Sequence, residues 1–170
     1  KGSISKYLCE KYDFEYICTG DMFRDLSKQF GYENILYFQK NHDKIKDIDK
    51  IIDSKIESIG KKRIDDDIII DSRLAWHFTP NSFKVFVDID WNTAADRLLK
   101  SKRETENVQT LASAKRTLIE RWDTENTRYQ ELYQTDNTNL DNYDLVITSD
   151  GSIEDLSEYV FEKYKEFIKK

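Results

Sequence analysis

The sequence predicts an α/β fold built on a parallel sheet, and three observations carry that expectation. Short β-branched runs, above all Ile68-Ile69-Ile70 and Val85-Phe86-Val87, have the composition of strands buried on both faces. Along the chain, strand patterns alternate with helical ones, which is the rhythm of right-handed crossover units. Polar residues then close the runs: Cys18-Thr19-Gly20-Asp21, Asp71-Ser72-Arg73 and Asp88. In a parallel sheet those residues gather at the carboxyl ends of the strands, where ligands bind.

The elements follow in order. Ile4 to Tyr12 carries apolar residues a turn apart and predicts a helix. Phe14 to Cys18 alternates and is aromatic, which predicts a strand. A tight turn over Cys18 to Asp21 comes next, with Asp21 capping a helix through Phe23, Arg24 and Leu26. Tyr32 to Asn41 and Lys44 to Ile59 read as amphipathic helices, the second with Ile45, Ile48, Ile52, Ile56 and Ile59 on its buried face. After a polar loop at Lys61 to Asp65 come the strands at Ile68 and at Phe83 to Asp88. Trp91 to Lys102 and Val108 to Tyr133 are helical, the latter highly charged and without Gly or Pro. Tyr143 to Ile147 is the last strand, and Ser152 caps a last helix with acidic residues in its first turn and lysines in its last.

Composition narrows the function. The chain has 170 residues, 38% hydrophobic and 35% charged, with net charge -6. That supports one domain, or one domain with a small insertion, under a polar surface, and it argues against a nucleic-acid binder, which needs a basic face. A small anion fits only where arginines are concentrated in a cleft. Two cysteines, Cys9 and Cys18, are too few for a disulfide framework and suit a reducing cytoplasm. No apolar run approaches the ~20 residues of a membrane span.

Three groups of residues carry chemistry. Lys1-Gly2-Ser3 opens a helix and reads as the end of a phosphate-binding loop, G-x-x-x-x-G-K-[ST], or else as a frayed terminus. The first N–H groups of a helix and the positive end of its dipole attract anions. Arg24 and Arg73 lie just past strand ends. They suit bidentate phosphate binding, or in the case of Arg73 an ion pair with Asp71 or Asp21. Arg121, Glu125 and Arg128 share one helix face, as an exposed ion-pair ladder or as a phosphoryl clamp. Arg97, Arg103 and Arg116 flank them. Asp49 and Asp53, at i and i+4 away from the isoleucine stripe, form a solvated acidic face or a reader of a cytosine amino group.

Together these stretches resemble the cytidylate kinases of the P-loop nucleoside-monophosphate kinase family, the compact type with a short lid. The residues that carry the resemblance are Lys1 to Lys6, Thr19-Gly20-Asp21-Met22-Phe23-Arg24, Ile70-Asp71-Ser72-Arg73-Leu74-Ala75, Arg121-x-x-x-Glu125-x-x-Arg128-Tyr129 and Tyr143 to Ile147. The resemblance implies a three-layer P-loop NTPase fold and a five-stranded parallel sheet of order 2-3-1-4-5. It implies one kinase domain over 1–170, with a monophosphate-binding helical insertion near 30–60 and a lid region near 100–128. The implied reaction is phosphoryl transfer from ATP to CMP or dCMP with Mg2+, in a cytoplasmic monomer. Lys1, Gly2 and Ser3 would then hold ATP. Thr19, Gly20, Asp21, Arg24, Arg73, Asp49 and Asp53 would hold the acceptor. Arg121 and Arg128 would clamp the transferring group, oriented by Glu125, with Arg103 and Arg116 in the lid. Lys1 is expected to be exposed and unpacked.

The chain departs from the family pattern in three places. The first strand of the sheet is missing, so the natural chain is expected to continue upstream. Gly2 stands where many P-loops carry a Mg-binding hydroxyl. Mg2+ would therefore be held by phosphates and water, with Ser3 and Asp71 as the available protein oxygens. Leu74 replaces an Asp common in bacterial members. The polar segment 100–110 has nothing to bury and is expected to close over the nucleotides. The competing readings are a kinase for another small acceptor and a non-catalytic nucleotide-binding domain, which has no need of Arg24, Arg73, Arg121 and Arg128 together.

Overall fold

The computed structural model describes residues 1–31, 42–63, 65–100 and 108–169. In chain order the elements are α1 (Gly2–Tyr12), β1 (Glu15–Cys18), α2 (Thr19–Gln29), α3 (His42–Lys62), β2 (Ile68–Asp71), a one-turn α4 (Ala75–Phe78), β3 (Val85–Asp88), α5 (Trp91–Lys100), α6 (Leu111–Tyr133), β4 (Leu145–Thr148) and α7 (Ile153–Phe167). This is a mixed α/β fold. The expected helix at 32–41 and the segment 101–107, with Arg103, lie outside the described residues.

The chain divides into two compact units. The first comprises Lys1–Phe23, Lys50–Asp88 and Leu140–Lys170, the second Arg24–Asp49 and Ile89–Asn139. All four strands belong to the first. They form two parallel pairs: β1 with β2, Glu15 opposite Ile68 through Cys18 opposite Asp71, and β3 with β4, Val85 opposite Leu145 through Asp88 opposite Thr148. Helix α1 serves both pairs. Its Ile4 and Leu8 pack with Ile147 of β4 and Val160 of α7, and Ile69, Val85, Val87 and Leu145 close around them. The α7 side adds Tyr12 stacked on Phe161 at 3.6 Å between ring centroids. Polar bonds rivet the same two helices, Lys11 and Tyr12 both donating to Glu158 at 2.8 and 2.7 Å.

Helix α1 ends where Asp13 turns left-handed, a conformation short polar side chains tolerate. Of the isoleucine stripe in α3, Ile48, Ile52 and Ile56 are at most 4% exposed and Ile59 is half-buried, while the Ile45 side chain lies outside the described residues. In the second unit α5 packs on α6 through Ala95, Leu98 and Ala114, and the two alanines let the helices approach. A capping box between Thr110 and Ser113 opens α6, and Ser152 caps α7 as expected.

Several expectations need correction. No turn separates β1 from α2. The helix opens at Thr19, so Asp21 sits inside its first turn and is not the cap. Strands expected to be buried on both faces are only half-buried at Ile68 to Ile70 and Val85 to Val87. Each has a single hydrogen-bonded neighbour among the described residues. The described strands lie in two hydrogen-bonded pairs, β1 with β2 and β3 with β4.

Candidate active site

In the first unit a compact polar cluster forms where β2 ends and α1 begins. Asp71 is the last residue of β2, and its side chain is only 6% exposed. Lys1, the residue before α1, donates its ammonium to Oδ1 of Asp71. The Tyr16 hydroxyl, on the neighbouring strand, donates to Oδ2 at 3.0 Å. The Thr19 hydroxyl lies 3.4 Å from the Asp71 main-chain oxygen. Lys1 is thus partly exposed, as expected, yet it is not unpacked. Burial and the adjoining Asp71 charge push the Tyr16 phenol well above its ordinary range, so Tyr16 stays a donor. A methyl group on Gly2 would come within 3.1 Å of Asp71 Oδ2, so this carboxylate occupies the space beside the helix opening. Gly2 and Thr19 line the cluster, and Ser3, the next residue of α1, is exposed.

The residues after Asp71 are held by local bonds. Ser72 Oγ accepts from the backbone N–H groups of Leu74 and Ala75 at 3.2 Å each, which sets the turn that carries Arg73. Leu74 is only 2% exposed, so a carboxylate there would be desolvated. Asp71 is engaged by Lys1 and Tyr16, and these take the place of the Arg73–Asp71 pair that the sequence left open.

In the second unit the charged face of α6 is not an exposed ladder. Glu125 and Arg128 are 5% and 6% exposed. Arg121 Nε donates to Glu125 Oε1 at 2.9 Å. Arg128 donates through Nε to Asp49 Oδ2, and its Nη2 lies 3.5 Å from Oδ1. Glu125 therefore orients Arg121, while the hydrogen-bonded partner of Arg128 is Asp49, 79 residues away in sequence. Asp49 is itself 7% exposed, so it belongs neither to a solvated acidic face nor to the outward side of α3. Burial pushes its carboxyl up and the Arg128 charge pulls it back, with burial the larger effect. Arg128 Nη1 is buried and has no hydrogen-bond partner among the described residues, leaving one donor of the guanidinium fork for a further acceptor.

The other candidates differ in exposure. Arg24 is half-buried, and its main-chain oxygen accepts from Ser27 Oγ at 2.8 Å. Gly20, Asp53 and Arg73 are half-buried, and Asp21, Arg97 and Arg116 are exposed. The sequence reading missed Tyr16 as a site residue. The only signal for it was an aromatic carrying a hydroxyl in a strand otherwise read as core.

The cytidylate kinase-like family model matches residues 2–151. The chain belongs to that family. Its relatives include a cytidylate kinase of Methanocaldococcus jannaschii, 31% identical over 89% of this chain and 84% of that protein. A cytidylate kinase of Methanococcus aeolicus is 33% identical over 86% of this chain and 80% of that one. A third relative bears another name, S-adenosylmethionine-dependent nucleotide dehydratase, from Lacinutrix mariniflava. It is 28% identical over 97% of this chain but over only 33% of its own length. A crystal structure of an uncharacterized protein from Eubacterium ventriosum superposes with TM-score 0.68 at 14% identity, covering 96% of this chain and 90% of that one. That likeness extends to the fold alone. Among the described residues no helix is long and apolar enough to cross a membrane.

Proposed function

We propose that this chain transfers the γ-phosphoryl group of ATP to a nucleoside monophosphate, CMP or dCMP. The observation that carries the reading is the Lys1–Asp71 pair. A lysine at the opening of a helix, held by a buried carboxylate at a strand's carboxyl end, is poised to turn to an anionic ligand. Membership of the cytidylate kinase-like family supports the same reading. The two parallel strand pairs are what order 2-3-1-4-5 leaves on either side of its first strand, which supports the P-loop three-layer assignment.

The roles are those the family resemblance implies. Lys1 and the first N–H groups of α1, with Gly2 and Ser3, bind the ATP phosphates. Thr19, Gly20, Asp21, Arg24, Arg73 and Asp53 bind the acceptor. Asp49 acts on it through Arg128. Arg121 and Arg128 neutralise charge on the phosphoryl oxygens in the transition state, each fixed beforehand by a carboxylate so that little reorganisation is needed. The free Nη1 of Arg128 is the donor available for that contact.

Among the described residues no group of three or more His, Cys, Asp or Glu forms a metal cage. A Mg2+ would arrive on the ATP phosphates and keep most of its waters, with Asp71 and Ser3 as the protein oxygens assigned to it. When bound, that ion neutralises the β- and γ-phosphate oxygens. Arg116 and Arg103 are assigned to the lid.

The test is coupled ADP release by the full chain with CMP, dCMP, UMP, AMP and GMP in turn. The proposal expects turnover with CMP or dCMP at least tenfold above the others. Preference for another acceptor replaces the substrate, and ATP binding without turnover on any acceptor replaces catalysis by a binding role.

A further inference from the structure

We propose that Tyr16 is a positioning residue that keeps Asp71 satisfied when Lys1 leaves it for a nucleotide phosphate. This deepens the reading above and rests on it. The Asp71 side chain is 6% exposed, and its two oxygens are divided between two donors, Lys1 on Oδ1 and Tyr16 on Oδ2. A buried carboxylate that loses its only donor is strongly destabilised. Lys1, 46% exposed, is the donor able to swing. Tyr16 is anchored in β1, paired in register with β2, and its ring lies 6.0 Å from the Lys6 ammonium. Its hydroxyl therefore stays while Lys1 moves.

Gly2 completes the device. A β-carbon there would stand 3.1 Å from Asp71 Oδ2 and 3.8 Å from the Tyr16 hydroxyl. In the phosphate-loop pattern a hydroxyl-bearing residue follows the lysine. Here that space is taken by the carboxylate that Tyr16 holds. The glycine and the tyrosine are two halves of one arrangement: the side chain missing at position 2 makes room for Asp71, and Tyr16 fixes Asp71 in that room.

The test has an arm without ligand and an arm with ATP, both on the full chain. In the first, thermal unfolding is measured for Lys1→Ala, Tyr16→Phe and the double variant. Either donor alone covers Asp71, so each single loss is small. The double variant is expected to melt at least ~2–4 °C below the sum of the singles, the shift of roughly one lost donor in a chain of this size. Additive losses overturn the proposal. Gly2→Ala gives an independent check. It should cost more stability in the wild type than beside Tyr16→Phe, where the carboxylate can move away, and equal costs count against the arrangement. In the second arm Tyr16→Phe is expected to raise the KM for ATP roughly fivefold with kcat within about threefold, because Lys1 then leaves an otherwise uncovered carboxylate. An unchanged KM overturns the hand-over. A wild type that binds no ATP refutes the proposed function and the hand-over together, while the melting arm still decides whether Lys1 and Tyr16 share Asp71.

Discussion

Replacing Asp49 by Leu should be among the most damaging single changes in the second unit. Arg128 and Asp49 have side chains 7% and 9% exposed, and Asp49 is the hydrogen-bonded partner of the guanidinium. An arginine cannot shed its proton, so Asp49→Leu strands a buried charge at a cost of about 3–5 kcal/mol. In a chain of this size that corresponds to a melting temperature lower by roughly 6–20 °C. Arg128→Met should cost less. The stranded Asp49 can take up a proton, and burial already favours that form. The double variant Asp49→Leu/Arg128→Met removes both charges and should lie within about 1–2 kcal/mol of wild type. Urea unfolding followed by circular dichroism gives all three values, and the cycle should show coupling of about 2–3 kcal/mol. The double variant should be folded and without kinase activity, which separates the structural from the catalytic part of Arg128. A loss below about 1 kcal/mol for Asp49→Leu, or singles that simply add, would refute the reasoning.

Other expected outcomes follow from separate observations. Lys1→Ala should retain less than a tenth of wild-type turnover in the ADP-release assay, a barrier increase of more than ~1.4 kcal/mol, while its melting temperature changes little because Tyr16 still covers Asp71. Gly60→Ala should destabilise by about 1–3 kcal/mol, since a β-carbon would meet Thr79 Cγ2 at 2.8 Å. Adding Thr79→Ser, which removes that methyl and keeps the hydroxyl bonded to the Ala75 oxygen at 2.7 Å, should restore most of the loss in a melting experiment. Bonds from Lys11 and then Tyr12 hold the Glu158 carboxyl below its ordinary value. The stability it contributes is therefore complete above the unfolded carboxylate value of about 4.3 and is lost as pH falls through the lower folded value. Glu158→Gln should flatten that acid limb, and an unchanged acid unfolding profile would refute the assignment.

The local elements were legible in the sequence because local forces make them. The buried face of α3 at Ile48, Ile52 and Ile56 and the cap at Ser152 are read from spacing alone, and both are present. Strand β3 starts two residues later than the apolar run because Lys84 is engaged otherwise. Its N–H donates to the Asp144 carboxylate at 2.8 Å, and its carbonyl accepts from Asp144 and Leu145. Asp21 failed as a cap because α2 opens directly from β1, leaving no turn for a cap to end. The site was legible by residue type but not by partnership. Arg128 was marked by its spacing from Arg121, but no periodicity links it to Asp49. Asp71 and Lys1 were both marked, while the tyrosine between them looked like core. Long-range pairing of buried charges is a property of the fold, and only the folded chain reveals it.

The central claim is tested most directly by following CDP formation from ATP and CMP with the full chain, beside Lys1→Ala and Arg128→Met under the same conditions. The expected result is stoichiometric CDP and ADP from the wild type and at least a tenfold lower rate from each variant. No CDP from a wild type that binds both nucleotides, or equal rates from all three proteins, would contradict the account.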